Sequence, residues 1–373
     1  MINIKTLILA LFILQPWFLS GLIRFDILAI LFSLTLCMSR SYIKIPVKEL
    51  IFILLSLSFV LLITILHAKF DISLLKKYIT LSALIIGAYY IVNGLDIEKK
   101  DFLNSICLMI LICTTFYCLA IFFEPVKNFA LQLKGETYGI EDRLEVYRLW
   151  FPTSAHTFHL GLFFVVSVAI LLSERCSMFI IFLCIICASI SARSALLMSI
   201  VLCFIFVILK EKKYFFIIIL IIPIIYFLMN TVAEEYTQVK YILEPIEQLL
   251  STGTLQSKSS NELLEKHLFW PEFKTLILGD GQYMNANGTF YGYTDSGILR
   301  PILYGGILFQ VFYFIFSFKY ISILRMYGVY GIITIILLYL ANIKAEILST
   351  TPYFSLLVIL YFIVKKENTI NNN

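Results

Sequence analysis

Long, continuously apolar stretches alternate with polar segments along this chain. Most of them approach the roughly 20 residues that a helix needs to cross a bilayer. Apolar and polar residues do not alternate within them, as the strands of a membrane β-barrel would require. The pattern therefore predicts about twelve membrane-spanning helices, because backbone in lipid must satisfy its own hydrogen bonds. We place these spans near residues 6–23, 27–39, 49–66, 78–94, 102–123, 157–173, 177–191, 195–209, 214–229, 301–318, 328–343 and 352–364.

Two polar segments, 124–156 and 230–300, are much longer than the turns between the other spans. Pro301 suits the first turn of a helix and disfavours helix at the residue before it, so the next span should begin there. Asp295 and Arg300 are then expected at the mouth of that span, at a membrane surface.

The second long segment is expected to contain short elements of its own. Residues of N-cap type and apolar spacing predict helices at Ala233–Leu250 and Asn261–Trp270. The Gly- and Asn-rich stretch Gly279–Gly288 predicts turns.

Composition supports an integral membrane protein. Apolar residues make up 60% of the 373 residues and charged residues 14%, whereas a soluble domain has about 25% charged residues. We therefore predict an all-α, polytopic helical bundle that forms one membrane domain over residues 1–373. The first stretch, Thr6–Ile23, follows only Lys5 and lacks a small-x-small cleavage site, so we expect a retained span rather than a removed signal peptide.

The distribution of Lys and Arg predicts the orientation. If the amino terminus is cytoplasmic, more of these residues fall inside than in the short outside loops, as the positive-inside bias requires. Both termini are then cytoplasmic and both long segments face outward. The inside residues are Lys5, Arg40, Lys44, Lys48, Lys99, Lys100, Arg175, Lys210, Lys212, Lys213, Lys319, Arg325, Lys365 and Lys366, and the outside ones are Arg24, Lys69, Lys76, Lys77, Arg193 and Lys344.

Three of the outside lysines, Lys69, Lys76 and Lys77, lie together in one loop and fit this orientation least well. Binding of anionic lipid is one explanation, and a different local topology is the other. The net charge of +5 follows from the cytoplasmic loops and does not indicate nucleic acid as a partner.

Arg193 lies in a tight turn between two apolar stretches. A guanidinium binds phosphate oxygens in a bidentate manner and keeps its proton, and ionisable groups at the membrane are functional candidates. We therefore predict that Arg193 binds phosphate at the outer face of the bundle. The alternative is a turn residue whose charge extends to the interface.

Asp295 and Arg300 form the next candidate pair. Asp295 is a predicted general base, or the group that orients an attacking hydroxyl, and Arg300 is a predicted phosphate ligand. The alternative is structural: Asp295 caps the following helix, and Arg300 is its ion-pair partner.

The first long segment contributes further candidates for substrate contact. Arg143 and Arg148 lie among acidic residues, which for Arg143 favours a salt-bridged surface helix. Arg148 lies nearer the membrane, beside Trp150, and is the stronger candidate. His156 and His159 share a helical face but lack further metal ligands, so interface histidines are the favoured interpretation, with His156 kept as a candidate substrate contact.

Aromatic residues crowd the second long segment at Tyr283, Phe290, Tyr291 and Tyr293. They suit sugar stacking, an interfacial aromatic belt or a small core of the loop. Tyr291 and Tyr293 are kept as candidate substrate contacts.

The sequence contains no P-loop, GxGxxG motif, nucleophile elbow or acidic metal cluster. We therefore expect neither a nucleotide-using enzyme nor a cofactor or metal, and an activated donor should arrive already anchored in the membrane.

The arrangement resembles bacterial O-antigen polymerases of the Wzy type, within the superfamily that includes O-antigen ligases. The topology is similar over most of the chain, and three short motifs are similar over about 190–310. These motifs are Ser191–Leu197, Phe269–Pro271 followed by Leu278–Gly281, and Thr294–Leu299 followed by Tyr304–Ile307. Ligases and some polymerases often have a histidine where this chain has Asp295, which favours polymerase over ligase. Ligases also tend to have an arginine upstream of the tryptophan, where this chain has Lys266 and His267.

The resemblance implies growth of a surface polysaccharide on undecaprenyl pyrophosphate at the outer face of the bacterial inner membrane. The growing oligosaccharide leaves its carrier and joins the next carrier-linked repeat unit, without a metal. The lipid-linked oligosaccharide and membrane lipid are the implied partners, and a chain-length regulator is compatible with them. The matching motifs add Ser296 and Gly281 to the candidate substrate contacts.

Two alternatives stay open. An O-antigen ligase performs the same chemistry with lipid A-core as acceptor. A flippase or transporter of lipid-linked oligosaccharide also suits about twelve spans, but it usually has charged residues in mid-span and needs no outer loop as long as 230–300.

Overall fold

The described part of the chain is predominantly α-helical. The computed structural model describes residues 3–18, 23–39, 45–67, 71–134, 151–153, 157–209, 253 and 267–371. The helices are α1 (Ile4–Leu14), α2 (Phe25–Ser39), α3 (Val47–Leu66), α4 (Ser73–Gly94), α5 (Lys99–Phe122), α6 (Glu124–Lys134), α7 (Thr157–Ser173), α8 (Met178–Ser191), α9 (Arg193–Leu209), α10 (Phe273–Leu278), α11 (Leu299–Ile321), α12 (Gly328–Lys344) and α13 (Pro352–Asn371). Short 3₁₀ turns lie at Tyr291–Tyr293 and Ser322–Tyr327.

Four helical segments among the described residues are long and apolar enough to cross a membrane. They are α3, α4, α5 and the pair α11–α12, which continues through a 3₁₀ turn over Leu299–Lys344. Helices α7, α8 and α9 are apolar but shorter. The predicted all-α architecture is therefore confirmed, and these apolar helices support a membrane protein, whereas the count of about twelve spans stays a prediction. The span predicted at 214–229 lies outside the described residues.

The first helix ends earlier than its apolar run predicts. Gln15 adopts a left-handed conformation at φ 50° and closes α1 after Leu14. Pro16 follows, and proline cannot continue a helix without losing a hydrogen bond. Two short antiparallel strands, β1 (Trp17–Phe18) and β2 (Ile23–Arg24), come next. The prediction of one continuous span over 6–23 was therefore wrong.

Helices α7 and α13 form the centre of the bundle. Almost every described residue of α7 is buried, and α13 is buried from Pro352 to Leu360. A helix that is apolar on all sides is normally an interior helix. Outer helices instead expose apolar side chains such as Leu66 of α3 and Phe122 of α5, as a surface in contact with lipid requires.

Charged contacts mark the two ends of the bundle. At one end Glu49 pairs with Lys319 and Lys365, and Lys99 pairs with Glu174. We call this the lysine-rich end. The opposite end carries the amino termini of α4, α7 and α11 and the carboxyl terminus of α12.

Parts of the two long polar segments are also described. The first contains α6, which directly follows α5. The second contains α10, which was not predicted. The predicted helix Ala233–Leu250 lies outside the described residues, as does most of Asn261–Trp270.

Candidate functional site

A break in α11 makes room for the loop that precedes it. Gly305 and Gly306 leave helical geometry, and Gly306 has a φ of 68°. The backbone N–H groups of Asp280 and Gly281 donate to the carbonyls of Leu303 and Tyr304 at 2.7 and 3.0 Å. A side chain on Gly306 would overlap the carbonyl of Ile277. Two of the quoted motifs, Leu278–Gly281 and Tyr304–Ile307, therefore pack against each other.

Asp71, just before α4, fixes the next turn of this loop. Its carboxylate accepts hydrogen bonds from the backbone N–H groups of Tyr283 and Met284 at 2.7 and 2.8 Å, and from that of Ser73 at 2.8 Å. Partial burial opposes ionisation, but these donors hold the pKa of Asp71 below its usual range. The loop is thus attached to α4 as well as to α11.

The docked loop brings Tyr283 to a buried charge cluster around Glu346, in the turn after α12. Glu346 accepts from Tyr283 Oη at 2.5 Å, pairs with Lys77 Nζ at 2.6 Å and with Arg300 Nη1 at 3.2 Å. Its side chain is only 4% exposed. Burial disfavours the carboxylate, but Lys77 and Arg300 keep the pKa of Glu346 below its usual range. Burial raises the pKa of Tyr283, so this phenol is a hydrogen-bond donor to the carboxylate.

Arg300 is held between aromatic rings. Its guanidinium carbon lies 3.4 Å from the ring centre of Phe290 and 4.3 Å from that of Tyr283. A planar guanidinium suits stacking of this kind. Glu346 takes one nitrogen, Nη1, while Nε is buried and has no hydrogen-bond partner among the described residues.

His159, in the first turn of α7, closes the cluster on another side. Its Nε2 lies 2.8 Å from the backbone carbonyl oxygen of Glu346. Its ring stacks on Tyr353 with an interplanar angle of 14°. Helices α4, α7, α11 and the turn between α12 and α13 thus meet at one point.

These residues line a cavity of about 430 Å³ at the end of the bundle opposite the lysine-rich end. Its walls hold three basic side chains and one carboxylate, together with hydroxyl-bearing and aromatic residues. The lining residues are Ser73, Lys76, Lys77, His159, Tyr283, Met284, Phe290, Arg300, Glu346, Ser349, Thr350 and Thr351.

No protein-family model matches this sequence, and no curated protein or solved structure is significantly similar to the chain. The chemistry of the cavity is therefore the basis for inferring function.

The structure separates the predicted pair Asp295 and Arg300. Arg300 lies in the cavity wall, whereas Asp295 is exposed and is not among the described lining residues. The alternative interpretation fails as well, because the ion-pair partner of Arg300 is Glu346. Buried Ser296 is instead the side chain at the start of α11: its Oγ accepts from the N–H groups of Ile298 at 3.3 Å and of Leu299 at 3.5 Å.

Other predicted contacts lie around the cavity rather than in its wall. Tyr291 donates to Asp280 at 3.2 Å, and Tyr293 is 67% exposed. Gly281, at φ 67°, packs so closely on His67 that a side chain would overlap it. These positions shape the loop, and their role in substrate contact stays a prediction.

Arg193 begins α9 and lies at the cavity end of the bundle, where Ala192 and Ala195 pack against Gly161 of α7. It is not among the described lining residues. Arg143, Arg148 and His156 lie outside the described residues, so their predicted roles stay predictions.

Sequence reasoning missed Glu346 and undervalued Lys77 and His159. Two signals pointed to them: a carboxylate between the two last apolar stretches, and lysines in a loop that should have few. Neither signal identifies the distant residues that Glu346, Lys77 and His159 contact in the fold.

Proposed function

We propose that this protein extends a surface polysaccharide by transferring oligosaccharide from one undecaprenyl-pyrophosphate carrier to the next carrier-linked repeat unit. The observation that carries the proposal is the cavity in which Arg300 and Lys77 are held in place by buried Glu346 and by aromatic rings. Fixed cations of this kind suit a substrate that carries phosphate and reacts at the end of a helical bundle.

The reaction needs two things from the protein: positive charge near the leaving group and correct positioning of donor and acceptor. A sugar hydroxyl attacks the anomeric carbon of the donor, and lipid diphosphate leaves. Arg300 and Lys77, which their contacts hold in place, would stabilise the charge that develops on the leaving group, since prearranged cations do so effectively, and the exposed Lys76 adds a third basic side chain. Holding donor and acceptor together in one cavity supplies a further part of the rate enhancement.

The charge of the cavity supports a diphosphate. Lys76, Lys77 and Arg300 contribute three positive charges, and Glu346 removes one. The resulting surplus of two matches the two negative charges of a diphosphate diester. Glu346 itself is a positioning residue, because it pairs with both Lys77 and Arg300 and keeps them together.

The walls also suit saccharides. Hydroxyls of Ser349, Thr350 and Thr351 line the cavity beside Tyr283 and Phe290, and hydroxyls and aromatic faces are common partners of sugar rings. Specificity for a particular sugar would arise from these side chains and from the neighbouring loop.

The proposal includes a location and a topology. The chain is taken as a bacterial inner-membrane protein of about twelve spans with both termini in the cytoplasm and both long segments in the periplasm. Arg193, Arg148, Arg143 and His156 would then face the periplasm, where a lipid-linked donor can meet them. Asp295 is retained as a candidate group for orienting the acceptor.

The polysaccharide ladder of a deletion strain tests the proposal. Deletion should remove long chains and leave single repeat units on the surface lipid. When the full-length Arg300→Ala chain is expressed in the deletion strain at a normal membrane level, long chains should still be missing. Expression of Arg325→Ala, a change at an exposed arginine of the lysine-rich end, should restore the ladder of long chains. Normal long chains in the deletion strain would refute the function.

The alternatives give different patterns in the same strain. Loss of an O-antigen ligase leaves the core lipid without any repeat unit, and loss of a flippase traps lipid-linked units on the cytoplasmic side. The concentration of the described cavity charges at one end of the bundle favours an enzyme over a transporter.

A further inference from the structure

Arg300 and His159 line the cavity, and each has one buried polar atom without a hydrogen-bond partner among the described residues, Arg300 Nε and His159 Nδ1. Both are shielded from solvent. A buried polar atom without a partner is unfavourable, so binding of a group that satisfies it is favoured. Arg300 Nε always carries a proton and needs an acceptor.

The protonation of His159 follows from its one partner. Nε2 lies 2.8 Å from a backbone carbonyl oxygen, that of Glu346, and a carbonyl oxygen can only accept. Nε2 therefore carries the proton. In the neutral ring Nδ1 then has a free lone pair and can take a proton. Stacking on Tyr353 fixes the plane of the ring, so this lone pair has a defined direction.

Glu346, the other acidic or basic group that might accept a proton here, is already saturated. Its Oε1 pairs with Lys77, and its Oε2 accepts from Tyr283 and Arg300. Both carboxylate oxygens thus already have donors, so neither is free to take the proton of a substrate hydroxyl. Asp295 is exposed and lies outside the cavity wall.

The charged groups that face His159 come from three other elements. They are Lys77 of α4, Arg300 of α11 and Glu346 in the turn after α12. His159 thus lies beside the cations that suit a leaving diphosphate, and it offers an acceptor nitrogen that none of its neighbours uses.

We propose that His159 is the general base that removes the proton of the attacking sugar hydroxyl. This assignment rests on the proposed glycosyl transfer. The acceptor oxygen forms a bond to the anomeric carbon, and the bond from that carbon to the diphosphate oxygen breaks. The electron pair leaves with the diphosphate, and the hydroxyl proton moves to Nδ1 of His159, which later releases it to water. Arg300 Nε donates to an oxygen of the departing diphosphate.

Two substitutions separate the chemical role from a structural one. Glutamine at this position retains an N–H group that can reach the carbonyl of Glu346, but it has no basic nitrogen, so His159→Gln removes only the base. His159→Ala removes both. His67→Gln is the control, because His67 lies outside the cavity and its Nε2 lies near the carbonyl of Leu278 at 3.1 Å.

The experiment uses the full-length chain in nanodiscs with undecaprenyl-diphosphate-linked repeat units from the strain that carries the gene. Release of undecaprenyl diphosphate gives kcat and KM. We expect His159→Gln to lower kcat by roughly 10²- to 10⁴-fold, the usual contribution of a general base, while KM and the thermal unfolding midpoint stay unchanged. His67→Gln should turn over like the wild type.

Turnover of His159→Gln at the wild-type rate would overturn the assignment and leave the proposed function intact. A rise in KM with unchanged kcat would also overturn it, since the residue would then only hold substrate. A wild-type protein that releases no lipid diphosphate would overturn both the glycosyl transfer and the role of His159.

Discussion

Arg300 Nη1 lies 3.2 Å from Glu346 Oε2, in a contact between the first turn of α11 and the turn that follows α12. Both side chains are less than a tenth exposed. A buried ion pair of this kind contributes mainly to specific geometry, because desolvation offsets much of its attraction. Its loss is nevertheless costly, since the remaining charge is left buried without a partner.

Glu346→Gln tests this relationship. The substitution leaves Lys77 and Arg300 without their shared carboxylate, so we expect the free energy of unfolding to fall by about 3–5 kcal/mol. Thermal unfolding in nanodiscs is the measurement. Glu272→Gln, at an exposed glutamate near the same loop, is the matched control and should unfold like the wild type. A Glu346→Gln protein of wild-type stability would show that the cluster does not hold these helices together.

Asp71→Asn should change how stability depends on pH. The pKa of Asp71 lies below its usual value in the folded protein. Its contribution is therefore fully present above the unfolded pKa of about 4 and is lost as pH falls through the lower, folded pKa. Asp71→Asn should be less stable than the wild type at pH 7 and should lose less stability on acidification, as followed by the unfolding midpoint between pH 7 and pH 3.

Asp295→Asn provides the comparison for this pH series. Asp295 is exposed and has no hydrogen bond or ion pair among the described residues. Its substitution should therefore leave the fall of the unfolding midpoint between pH 7 and pH 3 as in the wild type. If the unfolding midpoint of Asp71→Asn falls on acidification as much as that of the wild type, Asp71 does not hold the loop through its carboxylate.

The helices were predictable because each needs only local information. A continuous apolar run long enough to cross a membrane defines α3 and α5 closely, whatever lies beside them. The break after Leu14 was harder, because it depends on the left-handed conformation of one residue, Gln15, inside an otherwise apolar run.

The site was only partly predictable for a different reason. Pro301 fixes where α11 begins, and this places Arg300 at its mouth from sequence alone. The partners of Arg300 come from elements far away in the chain: 206 residues separate Lys77 from Tyr283, and 63 separate Tyr283 from Glu346. Apolar periodicity does not reveal which spans are neighbours, so the cluster could be recognised only in the folded structure.

Gly306→Ala should detach the loop from α11. Gly306 has a φ of 68°, and an added methyl group would overlap the carbonyl of Ile277. At φ 68° and ψ −166° the backbone lies in a region that essentially only glycine adopts, so the substitution combines strain of about 1–3 kcal/mol with a clash that the packed loop cannot avoid. We expect faster proteolysis within 279–298. Gly288→Ala is the control, because Gly288 also has a positive φ but an added methyl group there meets no atom within 4 Å. This variant therefore tests backbone strain without a clash. Equal proteolysis of the two variants would contradict the packing argument.

At the lysine-rich end, Glu49→Gln should destabilise the bundle without changing the cavity. Glu49 is 3% exposed and binds Lys319 at 2.6 Å, Lys365 at 2.8 Å and the Tyr361 hydroxyl at 2.6 Å. One carboxylate thus joins α3, α11 and α13, and its removal leaves two lysines without a partner. We expect a loss of about 3–5 kcal/mol in unfolding free energy. Because the two clusters lie at opposite ends of the bundle, KM for the proposed lipid-linked donor should stay at its wild-type value.

The matched control for Glu49 is Asp96→Asn. Asp96 pairs with Lys366 at the same end, but its side chain is 60% exposed, and exposed ion pairs contribute about 0–1 kcal/mol. Thermal unfolding of both variants separates burial from charge. If Asp96→Asn and Glu49→Gln unfold at the same temperature, burial of the carboxylate is not what makes the Glu49 cluster stabilising. If instead Glu49→Gln is the less stable protein and yet binds the donor normally, the two ends of the bundle contribute independently, one to stability and the other to substrate.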